Sequence, residues 1–143
     1  MLAYVATKRQ FLADAPMIQD VVAKAVKEKL GISVSLSERT AWQNSLGNAM
    51  SHFAMNARIP DDAGVAIEYQ LNPRKFRIDF MIAGKDAEGR ESVVIIELKQ
   101  WTYIEKSDRK DHVRTFAGGR VDDKPHPSYQ ASSYSHLLKS YNE

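Results

Sequence analysis

The stretch VVIIELK, from Val93 to Lys99, decides the fold expected for this chain. Its β-branched residues predict a strand. Because the run is apolar on both faces at its start, we expect a central strand that helices cover on both sides. Glu97 and Lys99, two residues apart on such a strand, would project to the same face about 6–7 Å apart. The stretch therefore combines a buried position with two ionisable side chains.

Two further strands are predicted before this one. Apolar and polar residues alternate from Val65 to Leu71 and again from Phe76 to Ile82, with a turn at Asn72–Pro73 between the two runs. Asp79 falls on the polar side of the second run. If this strand pairs with VVIIELK, then Asp79, Glu97 and Lys99 converge at one end of the sheet.

Helical periodicity appears in three places. The first helix is expected from about Asp14, as its cap, to Leu30, with Gly31 at the exit. Its lysine-rich face, which includes Lys24, Lys27 and Lys29, is most simply a solvated surface. The second helix is expected from Leu36 to Ala54, and the last from Pro127. The residues expected to face the core from the second helix are Trp42, Leu46, Met50 and Phe53.

The segment 101–126 has no clear periodicity. It mixes aromatic and basic residues and is long for a connection without regular structure. A short hairpin around Gly118–Gly119 or a functional flap is expected there.

Composition limits the classes of protein. The chain has 143 residues, a hydrophobic fraction of 43%, no cysteine and a net charge of +2. These values suit one ordinary domain and exclude disulfides and cysteine-ligated metals. No apolar run approaches the length of about 20 residues that spans a bilayer, so we expect a cytoplasmic protein without a membrane partner. The charge is too balanced to indicate nucleic acid by itself, so any such contact requires a local basic patch.

Charges in buried strands need compensation, because each unpaired charge costs several kcal/mol. One solution is a structural salt-bridge cluster of Asp79, Glu97 and Lys99. The other is a divalent cation, since two carboxylates, a backbone carbonyl and waters are the oxygen ligands that Mg²⁺ prefers. Lys99 would then orient a metal-bound water and stabilise charge developing on phosphorus. Such a site suits in-line hydrolysis of a phosphodiester.

The roles of two other glutamates, Glu38 and Glu68, each have two interpretations. Glu38 lies one turn before Trp42 and could bind a metal, but Ser35–Glu38 also fits a capping box. Glu68 could assist the site from outside, although an ion pair with Arg77 on the next strand is slightly favoured.

The motifs RIDF (77–80), VVIIELKQW (93–101) and HPSYQASSY (126–134) together resemble the PD-(D/E)XK nuclease superfamily. The spacing of Gln130 and Tyr134 resembles the QxxxY motif of its RecB-like branch. The whole chain, including AWQNSL and AIEYQL, also resembles the N-terminal region of bacterial proteins whose longer members continue into a Schlafen-like ATPase/helicase domain. Ile78 stands where the motif's name has proline.

The resemblance implies a fold and a site. The fold is α/β with a restriction-endonuclease-like α-β-β-β-α-β core, a mixed central sheet flanked by helices. Asp79, Glu97 and the backbone carbonyl of Leu98 would bind Mg²⁺ or Mn²⁺, with Glu38 as a tentative further ligand. Lys99 would assist the water, and Gln130 and Tyr134 would line the site near the substrate phosphate.

The implied activity is metal-dependent cleavage of DNA or RNA. The alternatives are a nucleic-acid-binding module that does not cut, or an interaction domain of a larger ATPase/helicase. Because the family's fourth core strand should follow the last helix, we expect residues 1–143 to be one domain and an N-terminal fragment of a longer protein, with a C-terminal ATPase/helicase region as partner. An open sheet edge would favour a homodimer and leave Leu137, Leu138 and Tyr141 exposed or covered by a second molecule. A fourth strand from residues 113–121 would contradict that expectation.

Overall fold

The computed structural model describes residues 2–72 and 76–141. The chain is α/β and divides between Ile96 and Glu97 into two compact units. Pro73 lies outside the described residues, so the predicted turn at Asn72–Pro73 is not described. The first unit consists of β1 (Leu2–Thr7), α1 (Lys8–Asp14), a 3₁₀ turn (Ala15–Met17), α2 (Ile18–Leu30), α3 (Leu36–Trp42), a π-helical segment (Gln43–Met50), α4 (Ser51–Ala54), β2 (Gly64–Asn72), β3 (Phe76–Lys85) and β4 (Glu91–Ile96).

The sheet of the first unit has the order β1-β2-β3-β4, and each neighbouring pair is antiparallel. The strands predicted at β2 and β3 are confirmed. The expected mixed sheet is not observed, because no parallel pair occurs among the described residues. The fourth strand is β1, which no sequence pattern predicted, and residues 113–121 belong to a different sheet. One face of the sheet packs in the core, whose largest fully buried side chains include Phe11, Ile18, Val22, Leu46, Val65, Ile67, Ile78 and Phe80.

The position predicted for VVIIELK is wrong in two respects. Its strand, β4, ends at Ile96, so Glu97 and Lys99 follow the strand and are not part of it. In addition, β4 is an edge strand of this sheet, and Val93 and Val94 are 54% and 51% exposed. A β-branched residue favours a strand, but its presence does not indicate whether that strand has a neighbouring strand on one side or on both.

The first predicted helix consists of two pieces, the 3₁₀ turn and α2. Helix α1 precedes it, where no helix was predicted; it begins at Lys8, where the Thr7 side chain accepts from the backbone N–H of Gln10. Asp14 caps no helix; its carboxylate accepts from the Tyr4 hydroxyl at 2.8 Å. The expected exit is confirmed, since Gly31 has the left-handed φ of 67° that a helix end favours.

The second predicted helix spans α3, the π-helical segment and α4. Trp42 and Leu46 are buried as predicted, but Phe53 is 45% exposed. Between them, the backbone N–H of Ser51 donates to the carbonyl of Leu46, five residues back. This wider turn shifts the helical phase by one residue, so Ser51 and Ala54 are buried in the places where Met50 and Phe53 were expected.

The second unit contains β5 (Ile104–Lys106), β6 (His112–Ala117), β7 (Arg120–Pro125) and α5 (Pro127–Tyr141). The predicted hairpin is confirmed, because β6 and β7 pair around Gly118 and Gly119, whose φ angles are 64° and 82°. Two consecutive left-handed residues match a tight hairpin turn. Leu137 and Leu138 are half-buried, and the side chain of Tyr141 lies outside the described residues. Within the described part of the chain, every helix is too short or too polar to traverse a bilayer.

Candidate functional site

Glu97 and Lys99 form an ion pair just after β4. The Lys99 ammonium contacts Oε1 of Glu97, so the two side chains lie on the same side of the backbone. The Glu97 side chain is only 3% exposed, whereas that of Lys99 is 26% exposed. The ammonium also lies 5.8 Å from the centroid of the Trp101 ring, a distance compatible with a cation–π contact. The carboxylate is therefore buried beside a cation that solvent can reach.

Gln130 and Tyr134 lie one turn apart on α5 and contact each other. The side-chain amide of Gln130 donates to the Tyr134 hydroxyl at 2.8 Å, and Tyr134 is buried. The hydrogen bond fixes the orientation of the amide, so the pair acts as one polar group on the helix face.

Asp79 lies on β3 between two fully buried residues, Ile78 and Phe80. Its side chain is therefore on the opposite face of the strand from these two, as the alternation predicted. Phe80 pairs with Ile96, the last residue of β4. A shared ligand role of Asp79 and Glu97 stays a prediction.

A second acidic group lies within the first unit, around Glu68 of β2. The Glu68 side chain is 5% exposed. Its Oε2 lies 2.6 Å from Nε of Arg77, and its Oε1 accepts from the indole N–H of Trp42 at 3.0 Å. The predicted ion pair between Glu68 and Arg77 is thus confirmed.

Glu38 joins the same group from α3. Its Oε1 lies 3.7 Å from Nη2 of Arg77, so the carboxylate faces β2 and β3. Its backbone N–H meanwhile donates to the Ser35 hydroxyl oxygen at 3.2 Å, so Ser35 caps α3. Half of the capping box is therefore present, while the glutamate side chain is directed to the arginine. We name the set Glu38, Trp42, Glu68 and Arg77 the arginine cluster.

Burial raises the pKa of Glu68 to about 7. The Arg77 guanidinium lowers the pKa, as does the hydrogen bond from Trp42, while the carboxylates of Asp79 and Glu38 raise it. The influence of Asp79 follows from register, because Glu68 and Asp79 face each other between the pairs Ile67–Phe80 and Tyr69–Ile78.

The backbone at Glu68 is strained. Its φ of 55° is left-handed, although it is neither glycine nor in a turn. Such a conformation costs on the order of 1–3 kcal/mol in a non-glycine residue. The strand's alternation is interrupted there, since Ile67 and Glu68 are both buried. The contacts to Trp42 and Arg77 offset the cost.

Sequence reasoning missed what Trp42 contributes. It was interpreted as a core aromatic, but its indole N–H is the buried donor of the arginine cluster. A signal was present, since a buried tryptophan needs a partner for its N–H and Glu38 lies one turn away on the same helix.

Whether a divalent cation can bind depends on which oxygen ligands the chain offers. Within residues 2–72 and 76–141, no group of three His, Asp or Glu side chains is arranged to hold a metal ion. Mg²⁺, however, is usually bound by one or two carboxylates with waters completing its shell. A buried carboxylate that already has a cationic partner, as Glu97 has, is a donor of the required kind.

Comparison with known proteins adds no relative, since no family model, curated protein or solved structure matches the chain.

Proposed function

We propose that the chain is a metal-dependent nuclease domain with a restriction-endonuclease-like core. The observation that carries the proposal is the ion pair of the buried Glu97 with Lys99, directly after a strand that pairs with the strand of Asp79. Asp79 precedes Phe80 and Glu97 follows Ile96, so each carboxylate is one residue from the same cross-strand pair. The resemblance to the PD-(D/E)XK motifs supports the same assignment.

In this proposal Asp79, Glu97 and the Leu98 carbonyl would hold Mg²⁺ or Mn²⁺. A bound ion would lower the pKa of a water toward neutrality and would place positive charge beside the phosphate. Hydrolysis would form a bond from that water's oxygen to phosphorus and break the bond to the leaving sugar oxygen, which would take up the proton that the water loses.

Lys99 has two tasks in the proposed reaction. Its ammonium balances Glu97 before substrate binds. During attack it donates hydrogen bonds to the water and to the phosphate oxygens, where negative charge increases. Gln130 and Tyr134, already bonded to each other, orient the substrate phosphate. Because solvent reaches Lys99, the lysine can move away from Glu97 as the ion binds.

The test is a cleavage assay on labelled single- and double-stranded DNA and RNA, with Mg²⁺, Mn²⁺ or EDTA. We expect cleavage with either cation and none with EDTA. Glu97→Gln should reduce the rate on the order of 10²-fold or more, because it removes a charged ligand. Glu105→Gln is the matched control, since it removes the same charge from an exposed strand residue of the same unit.

The outcomes separate the proposal from its alternatives. Cleavage undiminished in Glu97→Gln, or unaffected by EDTA, would refute the assignment. Salt-sensitive binding without cleavage under any cation would favour a non-cutting nucleic-acid-binding module.

A further inference from the structure

A cationic cleft lies in the first unit between α2 and α3. Its volume is about 350 Å³, within the range of ligand-binding clefts. Helix α2 contributes the positions 20, 23, 24 and 27, which recur at helical spacing and therefore share one face. Its charged and polar lining residues are Asp20, Lys24, Lys27, Ser33 and Arg39.

The two walls of the cleft are joined by an ion pair. The Arg39 guanidinium of α3 contacts the Asp20 carboxylate of α2 through Nη2. Arg39 Nε is buried and has no hydrogen-bond partner within the described residues. The pair neutralises the cleft's acidic residue and holds α3 against α2, so the concavity has a fixed frame.

The remaining charges of the lining are positive. Lys27 makes no ion pair within the part of the chain that the structure describes, and Lys24 has only Glu28, at 4.0 Å. Both partners of that pair are well exposed, 76% and 62%, so it contributes little. Two lysines one turn apart thus line the concavity, as does Ser33.

We propose that this cleft binds a phosphate group of the nucleic-acid strand on which the chain acts. The proposal rests on the proposed nuclease function and adds a contact that holds the strand away from the cleavage site. Lysines act on phosphate as point charges without a fixed geometry, so the contact positions the backbone and reads no sequence. The chain's net charge of +2 makes such a local patch necessary for any strand contact.

Lys29 provides the internal comparison. It belongs to the same helix, two residues after Lys27, but does not line the cleft. If the lysines of α2 only form a solvated surface, replacing Lys29 should affect strand affinity as much as replacing Lys24 or Lys27. If the cleft binds phosphate, replacing Lys29 should affect strand affinity less.

The experiment measures binding in EDTA, where cleavage is absent, by fluorescence anisotropy of a short labelled single-stranded DNA over a range of KCl concentrations. For Lys24→Gln/Lys27→Gln we expect affinity to fall about fivefold at low salt, and the salt slope to fall by about 0.7, because the contact to one phosphate is lost. The control Lys29→Gln/Lys139→Gln has the same change in charge at exposed positions outside the cleft and should change affinity less than about twofold. Thermal unfolding checks that both variants are folded.

Competitors distinguish the sources of the phosphate. Unlabelled single-stranded RNA and double-stranded DNA should compete in the wild type, and inorganic phosphate or AMP should compete only weakly. Tight AMP binding without binding of the strand would overturn the proposal, as would equal competition by polyglutamate.

Failure of the cleft and failure of the nuclease are separable. Equal affinities of the two double variants, or no strand binding by the wild type, would overturn the cleft. Cleft-dependent binding in a wild type that cleaves nothing would overturn the nuclease and support the cleft.

Discussion

Two glutamate side chains are almost fully buried, and they are held by different cations. Glu68 lies inside a strand, bonded by Arg77 and by the indole of Trp42. Glu97 lies beyond the end of a strand and contacts the ammonium of Lys99. A guanidinium binds carboxylates with a fixed fork, whereas an ammonium is a compact point charge on a flexible stem.

This difference between the two cations distinguishes the Glu68 pair, which is structural, from the Glu97 pair, whose cation can be exchanged. Arg77 contacts two carboxylates of different elements through its forked guanidinium, so its removal leaves Glu68 buried without its cation. Lys99 contacts one carboxylate through a single ammonium on a flexible stem, so another cation can take its place. Burial of an acid is therefore not the sign of a reactive site; the character of its partner is more informative.

The largest effect that would test this comparison is the pH dependence of stability. The pKa of Glu68 is raised from 4.5 in the unfolded chain to about 7 in the fold. The folded state therefore binds this proton more tightly, so the contribution of Glu68 to stability is fully present below pH 4.5 and is lost as pH rises to about 7, by about 3 kcal/mol. Urea denaturation at several pH values should show this loss in the wild type relative to Glu68→Gln. Parallel pH profiles of the two proteins would contradict it.

Removal of Arg77 should have the next largest effect. At pH 8 Glu68 is ionised, so Arg77→Ala leaves a buried carboxylate without its cation. We expect a loss of about 1–3 kcal/mol in the free energy of unfolding, less than for a fully buried pair because Arg77 is 50% exposed. At pH 5, where Glu68 is protonated, the loss should shrink.

The matched control for Arg77 is Arg90→Ala. Arg90 also contacts two carboxylates, Asp86 and Glu88, but in an exposed turn. Its loss should be within about 0.5 kcal/mol. Equal losses for Arg77→Ala and Arg90→Ala at pH 8 would mean that the arginine cluster is not structural.

A smaller pH-dependent effect is expected for Trp42→Phe, which removes the N–H donor to Glu68 and also leaves a smaller ring at a buried position. The lost hydrogen bond should lower the free energy of unfolding at pH 8 by about 1–2 kcal/mol, since the acceptor is charged and buried, and the smaller ring adds a cavity cost that does not depend on pH. Because the lost hydrogen bond lowers the pKa of Glu68 in the wild type, the pKa should rise in the variant. The midpoint of the stability loss would then move to higher pH; an unmoved midpoint speaks against the hydrogen bond.

The smallest effect on stability belongs to the second unit. Gln130→Ala removes one hydrogen bond to Tyr134 and should cost about 0.5–1.5 kcal/mol. Its cleavage rate, measured in the same preparation, should fall by more than the stability change accounts for, because the amide orients substrate. Ser132→Ala, on the same helix, is the control for both measurements.

Some of these features could be predicted from the sequence, because each depends on only a few neighbouring residues. The alternation around Ile67 and Ile78 predicted strands, and Gly31 and Gly118–Gly119 predicted a helix end and a hairpin, because each signal concerns backbone preferences of a few residues. The ion pair of Glu68 with Arg77 was predicted from two strands that neighbour each other in sequence, and the proximity of Glu97 to Lys99 from a spacing of two residues.

Other features depend on distant contacts. The exposure of Phe53 results from a π-helical turn, which apolar spacing does not encode. The edge position of β4 depends on which strands pair, and the pairing of β1 depends on residues more than fifty positions away. The left-handed backbone of Glu68 is maintained by partners on α3 and β3.

The pairing of β1 with β2 also has a consequence for the order of folding. Tyr4 faces Ile67 in this ladder, whereas β6 and β7 are joined by a turn at Gly118–Gly119. A hairpin forms in about 1–10 μs, while long-range pairing must first close a large loop. During synthesis the first strand therefore waits until most of its unit has been made, and the last sheet assembles as soon as its turn appears. A ribosome-bound chain ending before β2 would present β1 without a partner, and it is at that moment that the nascent protein has most need of a chaperone.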